Sequence, residues 1–113
     1  YRNSSSPADG DYLGQLKFQG ESDTGATRNY AKLTAKISDA SNGTEDGILE
    51  FAFLKNGSQN ICARFKSTEF MLMNGTNLSV DGSQIDFTNI PTSDPGVAGR
   101  VWRDGTDLKI SVG

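Results

Sequence analysis

Residues 14–65 decide the fold, and they read GQLKFQGESDTGATRNYAKLTAKISDASNGTEDGILEFAFLKNGSQNICARF. Turn-forming residues divide this stretch into four runs. Apolar and polar side chains alternate in three of them, and the third, residues 48–54, is apolar at all positions but one. A period of two places alternate side chains on opposite faces of a β-strand. No segment keeps a 3.6-residue period for ten residues. The stretch therefore predicts a meander of antiparallel strands.

The predicted strands follow these runs, and turn residues fix their ends. In the meander they cover residues 15–19, 30–38, 48–54 and 59–66. Asn56-Gly57 predicts a tight hairpin turn, because both central positions of such a turn need a positive φ. The third strand carries apolar residues on both faces, which predicts a central position. Shorter strands are predicted at residues 69–73, 78–80 and 84–88, and a last hairpin at 100–103 with 107–112.

The totals predict a small all-β domain with little interior. The chain has 113 residues, 13 of them glycine, and only 35% hydrophobic residues. We expect the antiparallel meander to form a small sandwich or barrel, with neighbouring copies supplying the missing burial. Residues 1–13 are interpreted as an N-terminal arm or linker, 14–88 as a β-rich module, and 89–113 as a Pro/Gly connector followed by a β-hairpin.

Composition argues against most classes of enzyme. The chain contains no histidine, and its one cysteine, Cys62, falls in a predicted strand. Ser-His-Asp and Cys-His chemistry therefore lack their base. The formal charge is −3 with no block of Lys or Arg, which argues against nucleic-acid binding. No apolar run approaches the ~18–20 residues of a membrane span. We expect no cofactor, no nucleic-acid partner and no membrane insertion.

Three acidic loops are candidate cation sites. The candidates are Asp9 with Asp11, Glu21 with Asp23, and Glu45 with Asp46. None has the twelve-residue spacing of a calcium loop. We interpret them as solvated turn carboxylates and expect no metal. In the loop before the third strand, Asp46 or Asn42 is expected to bond local backbone amides.

The order of small motifs resembles a module of bacteriophage tail fibres and related virion structural proteins. The pattern is G-x-hydrophobic-x-F-x-G, a polar loop, Y-A-x-hydrophobic-x-A, and a loop ending in E-D-G. The C-terminal PTSDPGVAGRVWRDGTDLKIS is similar to a phage connector and hairpin. The matching residues of the first part are Gly14, Phe18, Gly20, Tyr30, Ala31, Ala35, Asp39, Gly43, Thr44, Glu45, Asp46 and Gly47.

The resemblance implies a non-enzymatic structural protein on the tail or capsid surface of a virion, most often a homotrimer in contact with other virion proteins. A tail fibre or similar host-attachment appendage is the first hypothesis. A capsid decoration or knob protein is the second, and a receptor-recognition tip that binds host surface glycan is the third. A glycan-cleaving enzyme, which would need two carboxylates in one cleft, is the least favoured.

Candidate contact residues are aromatic or lie on the third strand. Trp102, Tyr30 and Tyr12 have rings that can stack on sugars or anchor a subunit contact. Ile48 and Leu54, with Ala52 between them, form the strand face that we expect to meet another copy. The phenylalanines are interpreted as core residues: Phe18, Phe51, Phe53, Phe65, Phe70 and Phe87.

Overall fold

The computed structural model describes residues 1–113 and contains only strands, turns and loops. The chain divides into two compact units, Tyr1–Ser79 and Val80–Gly113. The predicted all-β class, the antiparallel meander and the C-terminal hairpin are confirmed. None of the elements is a helix able to cross a bilayer.

The first unit is a single five-stranded sheet in which sequence neighbours are spatial neighbours. Its order is β1-β2-β3-β4-β5, and every pair is antiparallel. The strands are β1 (Tyr12–Glu21), β2 (Thr27–Asp39), β3 (Asp46–Lys55), β4 (Ser58–Phe65) and β5 (Phe70–Leu72). Strand β3 is central, as predicted. The barrel alternative is wrong, because β1 and β5 remain open edges and do not pair with each other.

Turn chemistry sets the tightest connection in the sheet. Asn56 and Gly57 join β3 to β4 with φ angles of 50° and 79°. These are the left-handed values that Asn and Gly adopt at low cost. A register shift lies beyond this turn, since Phe51 pairs with Ala63 while Ala52 pairs with Ile61. Cys62 is the extra residue of this bulge, within the strand that the sequence predicted.

Strand register sorts the side chains onto two faces of different character. One row across all five strands reads Leu16, Leu33, Phe51, Ala63 and Leu72. The neighbouring position of each strand gives a row on the opposite face, which reads Gln15, Thr34, Glu50, Arg64 and Met71. In these two rows the alternation seen in the sequence is in phase across all five strands, and beyond the bulge at Cys62 it changes phase in β4, so that Asn60 lies on the face of Phe53.

The interior of this sheet is thin. Ala52 and Ala63 are the buried apolar residues, and Thr34 and Glu50 are buried polar ones. The accessible surface of the chain is 8610 Å². A folded monomer of 12.1 kDa exposes ~6,000 Å², and two separate units of that total mass ~7,000 Å². Apolar surface that a globular monomer would bury is therefore left uncovered.

The interpretation of the phenylalanines as core residues is wrong for most of them. Phe18, Phe53, Phe65, Phe70 and Phe87 are between 47% and 54% exposed. The reason for the first four is geometrical: a single-layer sheet has no second layer to cover its apolar side. The sequence pattern identified the face correctly, but it carried no information on what covers that face.

The second unit is built around the C-terminal hairpin of β6 (Val101–Asp104) and β7 (Asp107–Ile110). The connector is tied to the hairpin by backbone bonds, since Arg103 donates to the carbonyl of Pro91 and Ser111 donates to that of Arg100. Ser111 is fully buried, and its Oγ lies 2.5 Å from Oδ1 of Asp94.

The short strands predicted at residues 78–80 and 84–88 are wrong. Both runs are irregular, and Leu78 and Ile85 are exposed. Two alternating apolar residues make a strand only if a neighbouring strand accepts their backbone bonds, and neither run has one. By its internal contacts, the segment 80–88 groups with the C-terminal hairpin.

Candidate functional site

The most prominent surface of the sheet is its apolar face, which spans three rows across the strands. We define the apolar face as Leu16, Phe18, Ala31, Leu33, Ala35, Leu49, Phe51, Phe53, Ala63, Phe65, Phe70 and Leu72. Asn60 is the one polar side chain in these rows, and it lies at the end of the Phe18 row. No charge therefore interrupts the face, although several of its large side chains are half exposed.

Aromatic packing divides the apolar face into a cluster and a lone ring. Phe65 stacks on Phe70 with ring centroids 4.3 Å apart, and Phe51 meets Phe65 edge-on at 5.8 Å. These rings border an open, wholly apolar hollow of about 150 Å³. Its lining comprises Phe51, Phe53, Cys62, Ala63, Phe65 and Phe70. Phe18 lies outside the cluster, on edge strand β1, where its pairing partner is the small Ala31.

An ion-pair triad lies on the opposite face of the sheet. Glu50 on β3 is 3% exposed. Its Oε1 lies 2.5 Å from Nζ of Lys36 on β2, and its Oε2 lies 2.6 Å from Nε of Arg64 on β4. Both carboxylate oxygens are thus paired with cations from neighbouring strands. Beside the triad, Nε2 of Gln15 donates to the hydroxyl of the buried Thr34 at 3.0 Å.

The ion pairs with Lys36 and Arg64 determine the protonation state of the Glu50 carboxyl. Burial raises the pKa of Glu50, but the hydrogen bonds and charges of Lys36 and Arg64 outweigh burial and hold that pKa below its ordinary value. The hydrogen bond to Glu50 raises the pKa of Lys36 in turn. The carboxylate is therefore ionised and satisfied, which suits a structural link across three strands and not a general acid.

Two of the predicted contact residues, Tyr30 and Leu54, come together at one open depression on this second face. Its lining comprises Ser22, Asp23, Thr24, Ala26, Arg28, Tyr30, Leu54 and Gly57. The Tyr30 hydroxyl donates to the carbonyl of Glu21 at 3.1 Å, and the Arg28 guanidinium donates to the carbonyl of Gly57 at 2.5 Å. The depression thus presents a half-exposed ring beside a fixed cation and a carboxylate.

Tyr12 and Ile48 lie at a separate place, on either side of Lys36 in one cross-strand row. The Lys36 ammonium sits 4.6 Å from the centre of the exposed Tyr12 ring. Ile48 is partly exposed on β3. The predicted role of Tyr12, Ile48 and Leu54 in a subunit or receptor contact stays a prediction.

Trp102 belongs to the second unit, on β6, and is partly exposed. The ammonium of Lys109 on the paired strand β7 lies 5.2 Å from its ring centre. The same ammonium bonds Oδ2 of Asp104 at 2.6 Å. The predicted contact of the Trp102 ring with a subunit or a sugar stays a prediction.

The acidic loops mainly shape turns. In the loop before β3, Oδ1 of Asp39 accepts from the amide of Ser41 at 2.8 Å, and Oε2 of Glu45 accepts from that of Gly43 at 2.9 Å. The bonds with Ser41 lower the pKa of Asp39. The side chains that bond local backbone amides in this loop are therefore those of Asp39 and Glu45, and not those of Asp46 or Asn42. The structure has no group of three or more His, Cys, Asp or Glu side chains that could hold a metal ion.

Comparison of the chain with protein-family models, with curated protein sequences and with solved structures gives no match.

Sequence reasoning missed the hollow and the triad for different reasons. Cys62, the extra residue of the β4 bulge, lines the hollow, and no residue pattern in the sequence predicted that bulge. The triad had a weaker signal, because Glu50 is the one charge in the otherwise apolar predicted strand at residues 48–54. A lone charge in a central strand needs partners on both neighbouring strands, and Lys36 and Arg64 are the cations that the register supplies.

Proposed function

We propose that this chain is a non-catalytic structural protein of a bacteriophage particle, a module of a tail fibre or a similar host-attachment appendage that assembles as an oligomer. The observation that carries the proposal is the apolar face, a charge-free sheet surface with half-exposed phenylalanines. Exposed apolar patches of this kind mark surfaces that another molecule covers. A chain of this construction gains its burial by assembly.

The sequence resemblance supports a place in a phage particle, and the exposed apolar face of the sheet supports assembly into an oligomer. Phage appendages are most often homotrimers, so three copies around an axis are the expected assembly. The low hydrophobic fraction of 35% accords with a subunit that is completed by its neighbours.

Immunogold labelling of particles purified from the phage that encodes this chain tests its location. Label on the tail supports the appendage, and label on the capsid surface would favour the decoration protein. Absence of the chain from purified particles would overturn both. Sedimentation of the isolated chain tests the assembly: a trimer is expected, and a monomer at high concentration would contradict the oligomeric role.

The depression beside Tyr30 favours a second candidate function, recognition of a host surface glycan. Aromatic rings stack on the apolar faces of sugars, and the neighbouring Arg28 and Asp23 offer a donor and an acceptor for hydroxyl groups. If this function holds, Tyr30→Ala reduces adsorption of the particle to its host while the particle still assembles. Unchanged adsorption would remove this candidate.

A further inference from the structure

We infer that the apolar face is the contact between copies of this chain, with Phe18 of one copy seated in the hollow around Ala63 of the next. This inference rests on the oligomeric assembly proposed above and names the surface that forms it. Both parts of the contact lie on the same face of the first unit, and they lie toward opposite edges of its sheet.

The size of the face fits an interface between copies. Five strands spaced ~4.8 Å apart and three rows spaced ~6.8 Å apart cover ~500 Å². Two such faces in contact remove ~1,000 Å² from water, which is the minimum for a specific protein interface. Projecting rings add to this value, because their sides are covered as well as their ends.

The shape of the face is self-complementary. An enclosed apolar cavity of ~150 Å³ accommodates one benzene ring, and the open hollow matches that volume. The hollow has about 150 Å³ and a purely apolar lining, and Phe18 supplies a phenyl ring that is 51% exposed. A projecting aromatic side chain in a desolvated pocket is the usual centre of a protein interface.

Small side chains lie between Phe18 and the hollow of the same copy, and they leave room for a second copy to approach the face. Ala31 and Ala35 lie on β2 on the apolar face, between the β1 edge and the aromatic cluster. Because the ring lies toward one edge and the hollow toward the other, each copy can give its Phe18 to a neighbour and accept one in return. In a reciprocal pair the two faces cover each other completely, whereas in a ring of three each face is shared between two neighbours, so the area given above applies to the pair.

Charge does not oppose the contact of one copy with a second. The defined face carries no charged side chain, while the ionised groups Lys36, Glu50 and Arg64 of the sheet lie on the opposite face. Two identical faces therefore meet without like charges in contact. A partner that recognised this surface by its charge would find nothing to pair with.

Two substitutions separate this contact from other modes of assembly. Phe18→Glu puts a carboxylate where the ring enters the hollow. Ala63→Leu fills the hollow from within and adds apolar surface, so a general loss of hydrophobicity cannot explain its effect. Lys17→Glu is the control, since it introduces the same side chain one position away in β1 on the opposite face.

Sedimentation velocity over a dilution series measures self-association of the wild type and the three variants, and far-UV circular dichroism checks that the sheet remains. We expect Phe18→Glu and Ala63→Leu each to weaken association ~30-fold or more, the effect of losing a central interface residue. Lys17→Glu is expected to associate like the wild type.

The outcomes distinguish this inference from the proposed function. Folded Phe18→Glu and Ala63→Leu variants that assemble as tightly as the wild type would overturn the contact while leaving an oligomeric protein. A wild type that stays monomeric at all concentrations would overturn the contact and the oligomeric role together. If Phe18→Glu does not fold, Ala63→Leu alone decides.

Discussion

Glu50→Gln offers the sharpest test of how the sheet is held together. The Glu50 carboxylate is buried and pairs with Lys36 at 2.5 Å and Arg64 at 2.6 Å. Glutamine keeps one oxygen acceptor but turns an amide group toward the other cation, so at least one charge-assisted bond is lost. Such a bond contributes ~1.5–3 kcal/mol, and relief from burying a charge offsets part of the loss. We expect the free energy of unfolding to fall by ~2 kcal/mol.

Urea unfolding at fixed protein concentration measures this loss. Far-UV circular dichroism is the appropriate signal, because the only tryptophan, Trp102, lies in the other unit. With a slope of ~1–3 kcal/mol per molar urea, the midpoint moves down by ~1 M. Glu69→Gln is the matched control, since its carboxylate is exposed and lies 4.0 Å from Lys66. It should change stability by less than ~0.5 kcal/mol.

The pH dependence gives the result that would refute the reasoning. Because the folded pKa of Glu50 is below its ordinary value, its contribution is present above that ordinary value and is lost as pH falls through the folded pKa. The wild type and Glu50→Gln should therefore converge in strong acid. Equal stability at pH 7, or a difference that persists when Glu50 is protonated, would contradict the role assigned to the triad.

Two further predictions concern a turn and the second unit. Gly57→Ala should lower the free energy of unfolding by ~1 kcal/mol, because Gly57 has a φ of 79° that alanine adopts poorly. Urea unfolding measures this loss against Gly14→Ala, where φ is not positive and a Cβ meets no atom within 4 Å. Equal losses in the two variants would contradict the turn assignment. Ser111→Ala should raise the pKa of Asp94, because the hydrogen bond from the Ser111 hydroxyl at 2.5 Å is the main cause that lowers it. Titration of the Asp94 carboxyl followed by NMR measures the change. An unaltered pKa would show that the hydroxyl does not bond Asp94 in solution.

The sequence predicted the strands well wherever the period of two was long. Residues 30–38 alternate without a break, and β2 covers them and extends to Thr27–Asp39. Asn56-Gly57 predicted its turn because few residues adopt two successive positive φ angles. Residues 78–80 and 84–88 failed because pairing is not a local property: an alternating run becomes a strand only when a neighbour is present.

The candidate site was less predictable for a related reason. Alternation placed Phe51 and Phe53 on one face with Leu49, but whether that face is covered depends on other layers and other chains. The sequence pattern predicts the phenylalanines in a core and the face of Ile48, Ala52 and Leu54 in contact with another copy. In the structure the larger exposed apolar surface lies on the opposite side of β3.

Thiol labelling of Cys62 tests the central claim, that another copy covers the apolar face, most directly. Cys62 is the only cysteine, and it lines the hollow that Phe18 of a neighbour is expected to fill. The labelling rate should fall as protein concentration rises, with the same midpoint as the increase in mass seen by sedimentation. It should stay fast at all concentrations in Phe18→Glu. A wild-type rate that is unchanged while the mass increases would show that the copies assemble through another surface.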